Sequence, residues 1–65
     1  MNIREVRQRV AEISAAKDDY EVAHSLEDRL HVDVLLAIAL GDEPAHLLAD
    51  EALKTVAIVF ARHCA

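Results

Sequence analysis

The stretch EVAHSLEDRLH, residues 21 to 31, carries the side chains of this chain that are best suited to chemistry. If the stretch is helical, four of these side chains share about a third of the helix circumference: Glu21, His24, Asp28 and His31. Imidazole and carboxylate groups four residues apart can bring their tips to one zinc or iron ion. One hypothesis is therefore a metal-binding or metal-dependent protein that uses these four residues.

A second Glu-x-x-His motif, EPAH at 43–46, repeats the spacing of EVAH at 21–24. Paired motifs of this kind hold the metals of ferritin-like bundles. A reversal of the chain near Gly41, however, puts the two motifs at opposite ends of an antiparallel helix pair. About fourteen residues of helix, roughly 21 Å, would separate them. The sequence therefore favours a solvated helix face over a metal or acid–base site.

Start and stop signals predict the helices that position these residues. Asn2, with Glu5 three residues later, forms a capping-box pattern, and the apolar spacing that follows predicts a helix over 3–16. Two adjacent aspartates can cap a second helix over 19–40, and Gly41 is placed to end it in a left-handed conformation.

The third helix is expected over 43–54 or longer, with Asp42 as its cap and Pro44 in its first turn. Its end has two interpretations. The β-branched run TVAIVF at 55–60 favours extended structure over helix. Either the helix continues to about Arg62, or it stops earlier and an extended C-terminal tail packs back on the helices.

The second half of the middle helix, VLLAIAL at 34–40, is apolar on almost every side, which is typical of a helix surrounded by protein. The core stripe expected for this helix is Val22, Leu26, Leu30 and Ala37, flanked by Ala23 and Val34. Leu35 and Ile38 project on the opposite side, where two helices of one chain cannot cover them. We therefore predict a homo-oligomer. The predicted interface consists of Leu35, Ile38, Glu27, Asp28 and His31.

Size and composition favour one all-α domain over residues 1–65. Hydrophobic residues make up 54% of the chain but aromatic residues only 3%, and there is one glycine and one proline to interrupt helices. With Cys64 as the only cysteine, no intrachain disulfide can form, and a reducing, cytoplasmic setting is expected. The longest apolar run has seven residues against the ~20 that a bilayer helix needs, so no membrane association is predicted.

Charge and motifs argue against nucleic acid and against catalysis. Residues 1–17 carry a net +2 and residues 18–53 a net −9, which indicates a basic first helix beside an acidic second one. The helix after Gly41 would approach phosphates with acids, so DNA binding is not expected. No nucleotide-binding or nucleophile fingerprint occurs, and neither enzymatic activity nor a cofactor is predicted. His63 and Cys64 could supply two metal ligands between subunits.

The segments YEVAHSLEDRLHVDVLLAIA at 20–39 and EALKTVAIVFARHCA at 51–65 give the chain a family likeness. It resembles small acidic helical proteins of unknown function encoded by actinobacteria and their phages. In their tail pattern, Ile-x-Phe-x-Arg precedes an aromatic residue; Ile58, Phe60 and Arg62 fit, whereas His63 departs. The resemblance implies a phage or prophage accessory protein that engages a host or phage protein, and it favours the extended tail.

Overall fold

The computed structural model describes residues 1–62. The predicted all-α fold of three helices is confirmed. The helices are α1 at Ile3–Ala15, α2 at Tyr20–Ala39 and α3 at Ala45–Ala52, and a single 3₁₀ segment follows at Leu53–Ala57. The hypothesis of a metal site at His63 and Cys64 lies outside the described residues.

The predicted caps define the starts of the first two helices. The Asn2 side chain accepts a hydrogen bond of 2.8 Å from the backbone N–H of Glu5, and the Asp19 side chain accepts one of 3.3 Å from the N–H of Val22. Each bond satisfies a backbone donor that the first turn of a helix leaves free. Local sequence therefore fixes where α1 and α2 begin.

The reversal between α2 and α3 depends on Gly41, whose φ of +98° lies in the left-handed region. The N–H of Gly41 donates to the carbonyl oxygen of Ile38, and the N–H of Asp42 donates to that of Ala37, both at 3.0 Å. These bonds satisfy carbonyls that the last turn of α2 would leave free. The prediction that Gly41 ends the second helix is confirmed.

The third helix differs from its prediction at both ends. Pro44, not Asp42, occupies the N-cap position, and no side chain caps the helix. The α-helix stops at Ala52, the 3₁₀ segment includes residues 55–57, and the backbone is extended at Ile58. Residues 59–62 have no regular secondary structure. The third helix therefore does not continue to Arg62, and the extended conformation expected for 55–60 begins only at Ile58. Ile58 and Phe60 are half-buried against the core.

The core lies where α1 packs against both α2 and α3. Its buried hydrophobic residues are Val6, Ile13, Ala23, Leu30, Val34, Leu48 and Ala52. The stripe predicted for the middle helix was partly wrong: Leu30 and Ala37 are buried, but Val22 is 46% exposed and Leu26 only half-buried. The two flanking residues, Ala23 and Val34, are buried as expected, and α2 also turns Glu27 inward, so its buried face includes a carboxylate.

No helix in the part of the chain that the structure describes has both the length and the apolar character needed to cross a membrane.

Candidate functional site

Some polar residues of the stretch 21–31 are buried and others are exposed, because α2 is rotated about its axis relative to the core stripe predicted for it. Glu27 is buried at 5% exposure, and His31 is half-buried. Glu21 and Asp28 remain exposed. The prediction that this whole face is solvated is therefore wrong for Glu27, although it holds for the two exposed acids.

Glu27 forms an ion pair with Arg62 of the C-terminal segment. Its Nε and Nη2 donate to the two carboxylate oxygens of Glu27 at 3.0 and 3.2 Å, a fork that fits the planar carboxylate. Nη2 also donates to the carbonyl oxygens of Thr55 and Ile58, each at 2.8 Å. The guanidinium carbon lies 3.8 Å from the centre of the Phe60 ring. The Arg62 side chain thus binds backbone carbonyls of the C-terminal segment and connects that segment to α2.

The arrangement continues through Thr55, which is completely buried. Its hydroxyl is hydrogen-bonded to His31 Nε2 at 2.9 Å, and the tautomer of the imidazole sets which of the two groups donates. Thr55 also contributes to the lowered pKa of the Glu27 carboxyl. We call Arg62, Glu27, Thr55 and His31 the tail lock. Each of these side chains has a hydrogen-bonding partner within the set, as buried polar groups require.

The tail lock sets the ionisation of Glu27. Burial alone would raise the pKa of this carboxyl. The hydrogen bonds from Arg62 and Thr55, together with the positive charge of Arg62 and the coulombic effect of His31, outweigh burial and hold the pKa below its usual range. A carboxylate whose pKa is lower in the folded than in the unfolded chain stabilises the fold most when it is ionised in both states.

Acid should therefore weaken the tail lock. The stabilisation by Glu27 is fully present above its usual pKa of 4.5 and is lost as the pH falls through the lower, folded pKa. We expect the urea midpoint to drop between about pH 5 and about pH 3. Glu27→Gln should flatten this dependence, whereas Glu12→Gln, which removes a charge from an exposed site on α1, should not. Equal slopes for the two variants would contradict the role assigned to Glu27.

The four residues of the metal hypothesis are not gathered into one ligand set. His24 Nε2 lies 3.5 Å from Asp28 Oδ1 as an ordinary pair four residues apart, while His31 is turned towards Thr55. Among residues 1–62, no three His, Cys, Asp or Glu side chains lie close enough together to hold a metal ion.

Two of the three arginines of α1 form ion pairs within the chain. Arg9 binds Asp33 of α2 at 2.8 Å, and Arg7 binds Glu51 of α3 at 3.1 Å. Glu51 is also bonded by Lys54, and these two cations hold its pKa below the usual value although burial opposes them. The basic first helix thus lies beside acids of the other two helices, as the charge pattern predicts.

An apolar surface occupies the solvent side of α2 after the polar stretch. We call it the outer apolar face, and it consists of Val32, Leu35, Leu36, Ala39 and Leu40. Its four larger side chains are between 56% and 77% exposed. A groove of about 280 Å³ runs beside it, lined by His31, Val34, Leu35, Ala49, Ala52 and Leu53. Large exposed apolar patches of this kind mark interaction sites.

The predicted interface residues occupy different places relative to this face. Leu35, 67% exposed, belongs to it, and exposed Asp28 lies one turn earlier on α2. Ile38 instead packs partly against the core, and Glu27 and His31 belong to the tail lock. Sequence reasoning missed Val32 and Leu36 as surface residues. Their signal was present, because at 100° per residue they lie opposite Leu30 and Val34.

Comparison of the chain with family models, with curated proteins and with solved structures finds no match. The resemblance to actinobacterial and phage proteins therefore stays a prediction.

Proposed function

We propose that this chain is a small, non-catalytic protein interaction module that self-associates through the outer apolar face of α2. The observation that carries the proposal is an imbalance in the apolar surface. Among the described residues, ten large hydrophobic side chains are exposed, whereas five large aliphatic ones are buried. Covering part of that surface with a second copy would add to a core that is small for independent stability.

The area of the outer apolar face is sufficient for a weak dimer. Fully burying a Leu or Val side chain contributes about 1.5–3 kcal/mol, which corresponds to roughly 100 Å² of apolar surface. On each copy, the exposed parts of five side chains would be buried: Val32, Leu35, Leu36, Leu40 and Leu53. Two copies together would bury on the order of 600 Å² of apolar surface. Interfaces are about 57% non-polar, so the total would be close to 1,000 Å², the lower limit for specific association.

The size of this interface sets the expected affinity. An interface near the lower limit gives a dissociation constant on the order of micromolar or weaker, because association has its own entropic cost. The resemblance to phage proteins adds a further part to the proposal, namely that the assembled module engages a host or phage protein.

Leu36→Glu tests the proposal. Leu36 is 56% exposed, so a carboxylate there should be tolerated in the monomer but would be desolvated against a partner. Sedimentation velocity of the unaltered chain should show the mass rising with concentration from 7.2 kDa towards twice that value. Leu36→Glu should stay at the monomer mass over the same range.

Val59→Glu is the matched control. Val59 is 89% exposed and belongs to the C-terminal tail, not to the outer apolar face. This variant should dimerise like the unaltered chain. A chain that remains monomeric at every concentration, or one whose dimer survives Leu36→Glu with circular dichroism unchanged, would overturn the proposed function.

A further inference from the structure

Two opposite charges without partners in the described chain flank the outer apolar face. Arg29 is exposed one turn before it on α2, and Glu43 is exposed in the loop after α2. Among residues 1–62, Arg29 makes no hydrogen bond or ion pair, whereas Arg7, Arg9 and Arg62 each bind a carboxylate. Glu43 is likewise without an ionic partner in that part of the chain. The face therefore ends in an unneutralised cation on one side and an unneutralised anion on the other.

The apolar residues between these charges have a self-complementary order. Val32, Leu36 and Leu40 are spaced four residues apart and, with 3.6 residues per turn, share a strip of about 80° that also contains Arg29. A two-fold axis through Leu36 would set Leu36 against its own copy and Val32 against the partner's Leu40. The two contacts between Val32 and Leu40 would then be equivalent, as a symmetric dimer requires.

The same axis brings the charges together. Arg29 lies seven residues before Leu36, about 10.5 Å along α2. On the other side of Leu36, α2 ends at Ala39, and Glu43 lies in the loop that follows. Antiparallel α2 helices would therefore set each Arg29 just beyond the C-terminal end of the partner's α2, beside the loop that carries the partner's Glu43 and near the negative end of the partner's helix dipole. A parallel pair would instead set Arg29 against Arg29. Charge complementarity selects the antiparallel dimer.

We propose that a second copy of this chain docks antiparallel on the outer apolar face, with Leu36 on the two-fold axis and Arg29 bound to the partner's Glu43. This inference rests on the proposed self-association and specifies its geometry. Two neighbouring acids already have cationic partners, because Asp33, four residues after Arg29, binds Arg9, and Asp42 binds the amino group of Met1.

Single charge reversals and their mixture test the geometry. Arg29→Glu or Glu43→Lys alone would turn both symmetric attractions into repulsions, and each variant should self-associate about tenfold more weakly. In an equimolar mixture, the two substituted side chains, now a carboxylate and an ammonium group, face each other, and so do the unaltered Arg29 and Glu43. The mixed dimer should therefore form with an affinity within about threefold of the unaltered dimer. Sedimentation equilibrium measures all three constants.

The controls separate this inference from the proposed function. Arg4→Glu, at an exposed position of α1, makes the same charge change and should leave association unchanged. About 1 M salt should remove most of the difference between the reversals and the unaltered chain, because the screening length falls to about 3 Å. Circular dichroism verifies that each variant is folded.

Two results would overturn the antiparallel dimer while leaving self-association intact. One is a mixture that associates no better than the separate variants although Leu36→Glu abolishes the dimer. The other is an Arg29→Glu variant that pairs with the unaltered chain more tightly than either pairs with itself, which is the signature of a parallel arrangement. If the unaltered chain forms no dimer at all, the proposed function fails as well.

Discussion

Arg62→Ala is expected to lower the free energy of unfolding by about 2 kcal/mol, because it removes the charged partner of a largely buried carboxylate. The Glu27 side chain is 7% exposed, whereas that of Arg62 is 33% exposed, so the cost lies below that of breaking a fully buried pair. The change also removes the donors to the carbonyls of Thr55 and Ile58. Since a core of this size supplies roughly 3–5 kcal/mol in total, the variant should be close to unfolding at 25 °C.

A double-mutant cycle in urea isolates the contact between the two side chains. Removing both charges with Glu27→Ala and Arg62→Ala should cost less than the sum of the single changes, with a coupling of about 1–3 kcal/mol. Arg62→Lys should restore only part of the loss, because an ammonium group lacks the planar fork. Arg4→Ala serves as the control for arginine removal. A coupling near zero would mean that the contact between Glu27 and Arg62 does not stabilise the fold.

The first two helices were predictable because their boundaries depend on local sequence. The Asn2 capping box and the positive φ required of Gly41 act within a few residues, and both were identified from the chain alone. Local sequence did not determine the conformation of the C-terminal segment. Its position against α2 involves a contact between Arg62 and a carboxylate 35 residues earlier, and no local pattern contains that information.

The rotation of α2 was missed for a related reason. A hydrophobic pattern assigns glutamate to solvent, so the stripe through Val22 and Leu26 scored better than one through Ala23 and Glu27. The inward placement of Glu27 is favourable only when Arg62 neutralises it, which is a tertiary effect. This rotation also determines the surface, because it turns Val32 and Leu36 outward and Ile38 towards the core.

The largest effect on the core is expected at α3, where one of two adjacent leucines is buried and the other is exposed. Leu48 is completely buried, whereas Leu47 is 45% exposed. Leu48→Ala should therefore lower the free energy of unfolding by about 2–5 kcal/mol through lost burial and the cavity left behind, enough to unfold most of the protein. Leu47→Ala should cost less than about 1 kcal/mol.

Urea unfolding followed by circular dichroism compares the two leucine variants directly, since the same methyl groups are removed in each. The comparison depends on the rotation of α3 about its own axis and on nothing in the interface of α2. Because helix propensity favours alanine and leucine alike, the difference between the variants reports packing and not helix formation. Equal losses at Leu47 and Leu48, or a greater loss at Leu47, would mean that α3 packs on α1 and α2 through a different face and that the groove beside Leu35 and Leu53 is not formed as described.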